Sequence, residues 1–159
     1  MKKKVLFVCL GNICRSPAAE GVFLKMVADH GLSHLIHVDS AGTGGWHAGD
    51  PPDARMIHHS LQRGYDLSQL EARQLQSQDL KEFDYILTMD ESNQKNVLAL
   101  DPQKQNHHKV KPLTYFCRIH SVKEVPDPYY RQADGFEYVL DLIEDACTEL
   151  LAHLKKELK

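Results

Sequence analysis

The chain has 159 residues, of which 42% are hydrophobic and 26% charged, and its formal charge is −3. That length suits one domain spanning residues 1–159, with enough apolar side chains for a core that needs no staples. The near-neutral balance argues against a general nucleic-acid or membrane-surface binder, and no apolar run is long enough to read as a transmembrane span.

Three lysines, Lys2 to Lys4, precede the apolar run Val5 to Leu10, as in a signal peptide. The run is too short for that, and it flows into Gly11-Asn12-Ile13-Cys14-Arg15-Ser16-Pro17 rather than a small-residue cleavage site. The lysines therefore read as a solvated cap on a buried strand over 4–10, and the expected compartment is the cytoplasm. Ser16 at the N-cap and Pro17 at the first helical position predict a helix whose apolar spacing runs from Ala18 to His30, stopped by Gly31. A second strand follows at 37–43, then the turn-rich stretch 44–53. Residues 54–63 read as a helix with Ile57 and Leu61 on one face, closed by Gly64. The third strand is 83–89, and Asp90 or Ser92 caps a helix to about Leu100, which Asp101-Pro102 ends. A fourth strand is predicted over 110–116, weakened for an interior place by Pro112. Residues 136–158 form a long amphipathic helix. Strands alternating with helices imply a doubly wound α/β fold, a parallel sheet with helices on both faces that binds ligands at the carboxyl ends of its strands.

Cys9 falls at such an end, and the residues after it join a strand to a helix N-terminus. Backbone N–H groups of a short loop there converge on an anion, helped by the helix dipole. Gly11 and Asn12 are residues that tolerate positive φ, and Arg15 supplies a planar fork suited to two phosphate oxygens. A thiol at Cys9 sits in the same positive field, which favours a thiolate nucleophile for phosphoryl transfer. A Cys and an Arg six apart often coincide by chance; the strand-to-helix junction, the Gly-Asn pair and the Ser-Pro that follows are what point to an anion site. The leaving oxygen then needs an acid. Asp127, stiffened by Pro126 and Pro128 and followed by Tyr129 and Tyr130, is the candidate, although Asp-Pro before aromatics is also a common turn.

Other features keep simpler readings. The four cysteines, Cys9, Cys14, Cys117 and Cys147, make neither a secreted disulfide framework nor a CxxC zinc site, and Cys117 and Cys147 read as core filling. Adjacent histidines, His58-His59 and His107-His108, diverge on a helix and read as surface residues, so no metal and no cofactor is expected. Trp46, in a Gly-rich loop, reads as exposed; His47, Asp50 and Asp53 belong to a cleft rim. Cys14, beside a reactive thiolate, suggests a reversible Cys9–Cys14 disulfide that shields Cys9 from irreversible oxidation.

The chain resembles the low-molecular-weight protein tyrosine phosphatases along nearly its whole length, through VCLGNICRSP (8–17), DSAGT (39–43), FDYILTMDESN (83–93) and DPYY (127–130). The resemblance implies a flavodoxin-like, four-stranded parallel sheet in the order 2-1-3-4. It makes Cys9 the nucleophile, Arg15 the phosphate and transition-state ligand, and Asp127 the general acid and then base. It makes Leu10, Gly11, Asn12, Ile13, Cys14 and Arg15 the backbone cradle, Ser16 the support of the Cys9 thiolate, and Asn12 with Ser40 the network shaping the loop. Trp46, Tyr129 and Tyr130 resemble the walls of the substrate cleft. The implied substrate is a phosphotyrosine protein or peptide, met by a monomer or a weakly self-associating chain. Where family members often carry a loop-supporting histidine, this chain has Leu70, whose side chain cannot hydrogen-bond. The related arginine phosphatases resemble this loop with threonine in place of Ile13 and DPF in place of DPY, so Ile13 and Tyr129 favour phosphotyrosine. Arsenate reductases share the scaffold but use further cysteines, and residues 75–100 have none. A noncatalytic phosphopeptide-binding module fits less well, because Cys9 and Asp127 are both present.

Overall fold

Strand β1 (Lys3–Cys9) is apolar at consecutive positions because both of its faces are covered: Val5, Phe7 and Cys9 pack on one side, Leu6 and Val8 on the other. The computed structural model describes residues 2–159. The remaining elements are α1 (Arg15–Asp29), β2 (Ile36–Gly42), α2 (Ala54–Gln62), α3 (Ser77–Glu82), β3 (Tyr85–Thr88), α4 (Glu91–Ala99), β4 (Val110–Pro112) and α5 (Ala133–Glu157). All pairings are parallel and the order is β2-β1-β3-β4, as expected. Helices α1, α2 and α5 cover one face, with Phe7, Phe23, Met56, Leu87 and Phe136 at the centre of that core; α3 and α4 bring Leu80 and Val97 to Ile86 and Val8 on the other. The chain moves from β1 to β2 in one direction and to β3 in the other. The carboxyl end of β1 is therefore the switch point, where neighbouring connections diverge and leave a crevice.

Several expectations are corrected. The strand predicted over 110–116 ends at Pro112, and Leu113–Phe116 forms a 3₁₀ turn; β4 is an edge strand, which is where a proline is tolerated. Helix α5 starts about a turn earlier than predicted, at Ala133. The buried side of α2 is Met56 and Ser60 with Ile57 partly covered, whereas Leu61 is exposed. Helix α3 had no apolar signal; it is a single turn and a half whose third residue, Asp79, accepts the Gln76 N–H. His59 is not a surface residue: its ring stacks on Phe136 at 5.5 Å, and its Nδ1 lies 2.5 Å from Glu137 Oε2. Among the described residues no helix is long and apolar enough to cross a membrane.

Gly21 is where α1 meets the buried Leu67, because a Cβ there would lie 2.2 Å from Leu67 Cδ2. Glycine to alanine in a helix ordinarily adds about 1 kcal/mol, while overpacking a core costs about 1–3 kcal/mol. Leu67 is fully buried and has nowhere to retreat. Gly21→Ala is therefore expected to lower stability by about 1 kcal/mol, read as an earlier urea midpoint at unchanged slope.

Candidate active site

The loop after β1 is shaped by Asn12, whose backbone takes φ 58°, in the left-handed region where asparagine is one of the few tolerated side chains. The expectation of positive φ at Gly11 is not met; its missing Cβ matters instead because one would lie 3.1 Å from His47 Cδ2. Gly42, ending β2, permits a closer approach, since a Cβ there would come within 2.7 Å of the Leu10 carbonyl oxygen. The loop is held down by the N–H groups of Thr43 and Gly44, which donate to Cys9 and Leu10 carbonyls at 2.9 Å. Helix α1 begins at Arg15 behind Cys14, so Ser16 is not its N-cap. Its hydroxyl has other work.

The Arg73 N–H donates to Asn12 Oδ1 at 3.0 Å, which turns the Nδ2 side of the amide toward Ser16 Oγ at 2.7 Å and Ser40 Oγ at 2.9 Å. Both amide hydrogens are thereby used. With Ser16 Oγ accepting from Asn12, its proton is free to point at Cys9 Sγ, 2.9 Å away. The Asn12 N–H adds a second donor to that sulfur at 3.3 Å. Both bonds place a donor hydrogen against the sulfur. Leu70, at the position of the missing histidine, simply packs against the core. The backbone of Arg73 and the Ser40 hydroxyl support Asn12 here. Cys14 is buried, and burial, reinforced by the Asp53 and Cys9 charges, pushes its thiol pKa up. All four cysteines are free. Cys147 is fully buried and Cys117 partly so.

Arg15 is 2% exposed. Burial opposes its charge, but Cys9, Asp90 and Asp127 outweigh that and hold its pKa above the ordinary value. Its Nη1 donates to Asp90 Oδ2 at 2.7 Å and to the Val125 carbonyl at 3.0 Å. Its Nε, also buried, has no partner, and Nη2 lies 3.6 Å from Asp127 Oδ2. The edge formed by Nε and Nη2 is therefore presented to a ligand, in the geometry that grips two oxygens of one phosphate. Among the described residues the N–H groups of Gly11, Ile13 and Cys14 have no acceptor within the protein. N–H groups of a loop leading into a helix N-terminus suit an anion.

These groups line a cleft of about 220 Å³ with Cys9, Arg15 and loop residues Leu10, Gly11, Ile13 and Cys14 at its floor, and Trp46, His47, Asp127, Tyr129 and Tyr130 around its mouth. Asn12, Ser16 and Ser40 stand behind the floor, all buried. Trp46 is 71% exposed and Tyr130 92% exposed, so the rim is apolar and open. Tyr129 stands edge-on to Tyr130 at 4.9 Å. The His47 Nδ1 lies 3.2 Å from Asp50 Oδ2, while Asp53 caps α2; of the three expected rim residues His47 alone lines the cleft. Among the described residues no cluster of three or more histidine, cysteine or carboxylate side chains is arranged to hold a metal ion.

Residues 4–159 match the family model described as low molecular weight phosphotyrosine protein phosphatase. The chain belongs to that family. It is 43% identical over 153 residues to the low molecular weight protein-tyrosine-phosphatase YfkJ of Bacillus subtilis, covering 96% of each chain. It is 42% identical over 151 residues to the human low molecular weight phosphotyrosine protein phosphatase, covering 94% of each. The crystal structure of a protein tyrosine phosphatase from Entamoeba histolytica, with Hepes in its active site, superposes with TM-score 0.94 at 42% identity, covering 99% of this chain and 100% of that one.

Two contributors in this phosphatase fold escape a linear reading. Asp90 looks like a helix cap and is one, accepting the Asn93 N–H on Oδ1, yet its other oxygen holds Arg15. A carboxylate two residues past a strand of a parallel sheet, at its ligand-binding end, is the signal for this second use. Glu20, on α1, accepts the Ser40 hydroxyl at 2.5 Å and ends the chain Cys9–Ser16–Asn12–Ser40–Glu20. Burial raises its pKa to about 7, against the Ser40 hydrogen bond and the Arg73 charge, with Asp39 adding to the rise. The folded state thus keeps a proton that the unfolded chain releases near the ordinary value of 4.5, so stability falls as pH rises from there to about 7. A shift of that size is worth about 3 kcal/mol. Glu20→Gln is expected to match the wild type near pH 4.5 and to exceed it at pH 8; urea titrations running parallel at both pH values would contradict this.

Proposed function

We propose that this family member is a cysteine-dependent protein tyrosine phosphatase that hydrolyses phosphotyrosine in proteins or peptides, and small aryl phosphates, through a phosphocysteine intermediate. The observation that carries it is the placement of a sulfur that receives two hydrogen bonds beneath the free edge of a buried arginine, with a carboxyl at the mouth. Cys9 Sγ attacks phosphorus in line with the tyrosine oxygen. As the P–O bond breaks, Asp127 gives its proton to that oxygen and tyrosine leaves. Water then attacks phosphorus, Asp127 takes the water's proton, the S–P bond breaks, and inorganic phosphate departs with the Cys9 thiolate restored. In both displacements the three equatorial oxygens lie against the loop N–H groups and the Nε–Nη2 edge of Arg15, which offset charge that spreads over them. Ile13, Trp46 and Tyr129 supply apolar walls to the cleft, which supports a flat aryl ring as the group entering it.

Hydrolysis of p-nitrophenyl phosphate is expected to persist in EDTA and to vanish in Cys9→Ser, while the variant retains phosphate affinity. Loss of activity on chelation would overturn the cysteine mechanism. Asp127→Asn removes the proton donor and keeps the size of the side chain. Its kcat/KM is expected to fall by about 10²-fold or more for phenyl phosphate, a poor leaving group, and far less for p-nitrophenyl phosphate. Equal losses for the two esters would remove Asp127 from the acid role.

A further inference from the structure

The segment carrying Asp127 is thinly attached. From residue 126 to residue 131 the one hydrogen bond to a residue outside the segment, among the described residues, is donated by Arg55 Nη2 to the Tyr129 carbonyl at 3.0 Å. Arg55 lies in the first turn of α2, where the Asp53 carboxylate accepts three hydrogen bonds from it: Oδ1 from its backbone N–H at 2.8 Å and its Nε at 3.0 Å, and Oδ2 from Nη2 at 2.9 Å. The guanidinium carbon is 4.9 Å from the ring centre of the buried Phe136 and 5.4 Å from that of Tyr129, so the cation touches an aromatic ring of α5 and one of the cleft wall. Asp53 also ties this assembly to the floor of the cleft, because its N–H donates to the Ile13 carbonyl at 2.7 Å.

Tyr129 converts that hold into the position of an acid. Its carbonyl accepts from Arg55, and its own N–H donates to Asp127 Oδ1 at 3.0 Å. We infer that Arg55 is a positioning residue for the leaving-group proton transfer: through the Tyr129 backbone it fixes the Asp127 carboxyl, and through Asp53 it sets that carboxyl at a constant distance from the loop that holds phosphate. The inference rests on the phosphatase reading above. Misplacing a catalytic group by about 1 Å is enough to cost about 10²-fold in rate, so the one hydrogen-bonded strut on this loop, beside the longer Arg15–Asp127 ion pair at 3.6 Å, has leverage. Arg55 is itself half-exposed, and a surface ion pair of this kind adds little to global stability. The fold survives its removal; the acid's aim does not.

The test pairs Arg55→Ala and Arg55→Lys with the wild type. The lysine variant keeps the charge and one donor but loses the planar fork. For Arg55→Ala, kcat/KM is expected to drop about tenfold more with phenyl phosphate than with p-nitrophenyl phosphate, inhibition by inorganic phosphate to change less than about twofold, and Arg55→Lys to recover part of the loss. Equal losses with both esters, or a parallel loss of phosphate affinity, would overturn the assignment. A second readout does not depend on turnover. The ¹⁵N relaxation order parameter of the Tyr129 amide is expected to fall toward about 0.6 in Arg55→Ala, with Gly11 to Cys14 unchanged. An unmoved Tyr129 would overturn the strut. Were the wild type inactive on both esters, the phosphatase reading would fail on that result, and the relaxation data would still decide whether Arg55 holds the segment.

Discussion

The Asn12 side chain is the point on which the site's geometry turns. Its backbone accepts a left-handed conformation that bends the loop, and its amide then spends all three of its polar positions on neighbours: Arg73 N–H, Ser16 and Ser40. Each bond fixes the direction of the next. Because Arg73 claims the oxygen, the nitrogen must face the serines; because the nitrogen donates to Ser16, the Ser16 proton is released toward Cys9. A buried network whose every member is satisfied holds one arrangement, since any rotation leaves an unpaired polar group that costs about 1–3 kcal/mol. The surroundings of the Cys9 sulfur are set by this directional logic, with the strand supplying only its position.

Several residues around that point serve scaffold and site with different atoms. Asp90 caps α4 with one oxygen and holds Arg15 with the other. Asp53 caps α2, grips Arg55 and, by its backbone, pins Ile13. Tyr129 offers its ring to the cleft, its carbonyl to Arg55 and its N–H to Asp127. Helix starts gather here because all the strands are parallel and their carboxyl ends share one edge. Caps are already polar and already fixed by the helices they begin, so they are inexpensive places from which to orient catalytic groups.

What could be read from the sequence was local. The junction from Cys9 to Ser16 puts nucleophile, turn residues and arginine within eight positions, and the alternation of strands and helices implies the switch point above it. Family resemblance supplied the strand order and most of the cradle. Relations across the sheet were not legible: Arg15 meets Asp90 across 75 positions and Val125 across 110, and no spacing rule connects them. Of the two readings of Ser16, the N-cap one misled for a physical reason, since Ser before Pro is an N-cap pattern, yet a hydroxyl between the Cys9 sulfur and an asparagine amide has stronger partners than a helix N–H; the contact with Cys9 was the part the resemblance implied. Residues 113–116 misled because an apolar run bounded by turns suits a strand or a buried 3₁₀ turn equally well. Glu20 was hidden inside an apolar helix face, where only the third dimension reveals that its partner is a serine of the neighbouring strand.

The two carboxylates near Arg15 show how one guanidinium is divided between permanent and working partners. Asp90 and the Val125 carbonyl saturate Nη1, and Asp90 is itself anchored through the α4 cap. That pair is fixed, and it aims the opposite edge of the guanidinium at the cleft. Asp127 approaches that edge only to 3.6 Å, stands partly in solvent, and is held by a single N–H on one oxygen. In the acid role proposed for it, a group bound that loosely can act without dismantling the floor beneath it. A carboxyl bonded as tightly as Asp90 would carry its motions into Arg15 at every turnover. The division of labour follows from attachment: the fixed carboxylate orients the arginine, and the lightly tethered one suits the proton-transfer role proposed for it, so long as its tether fixes where it points.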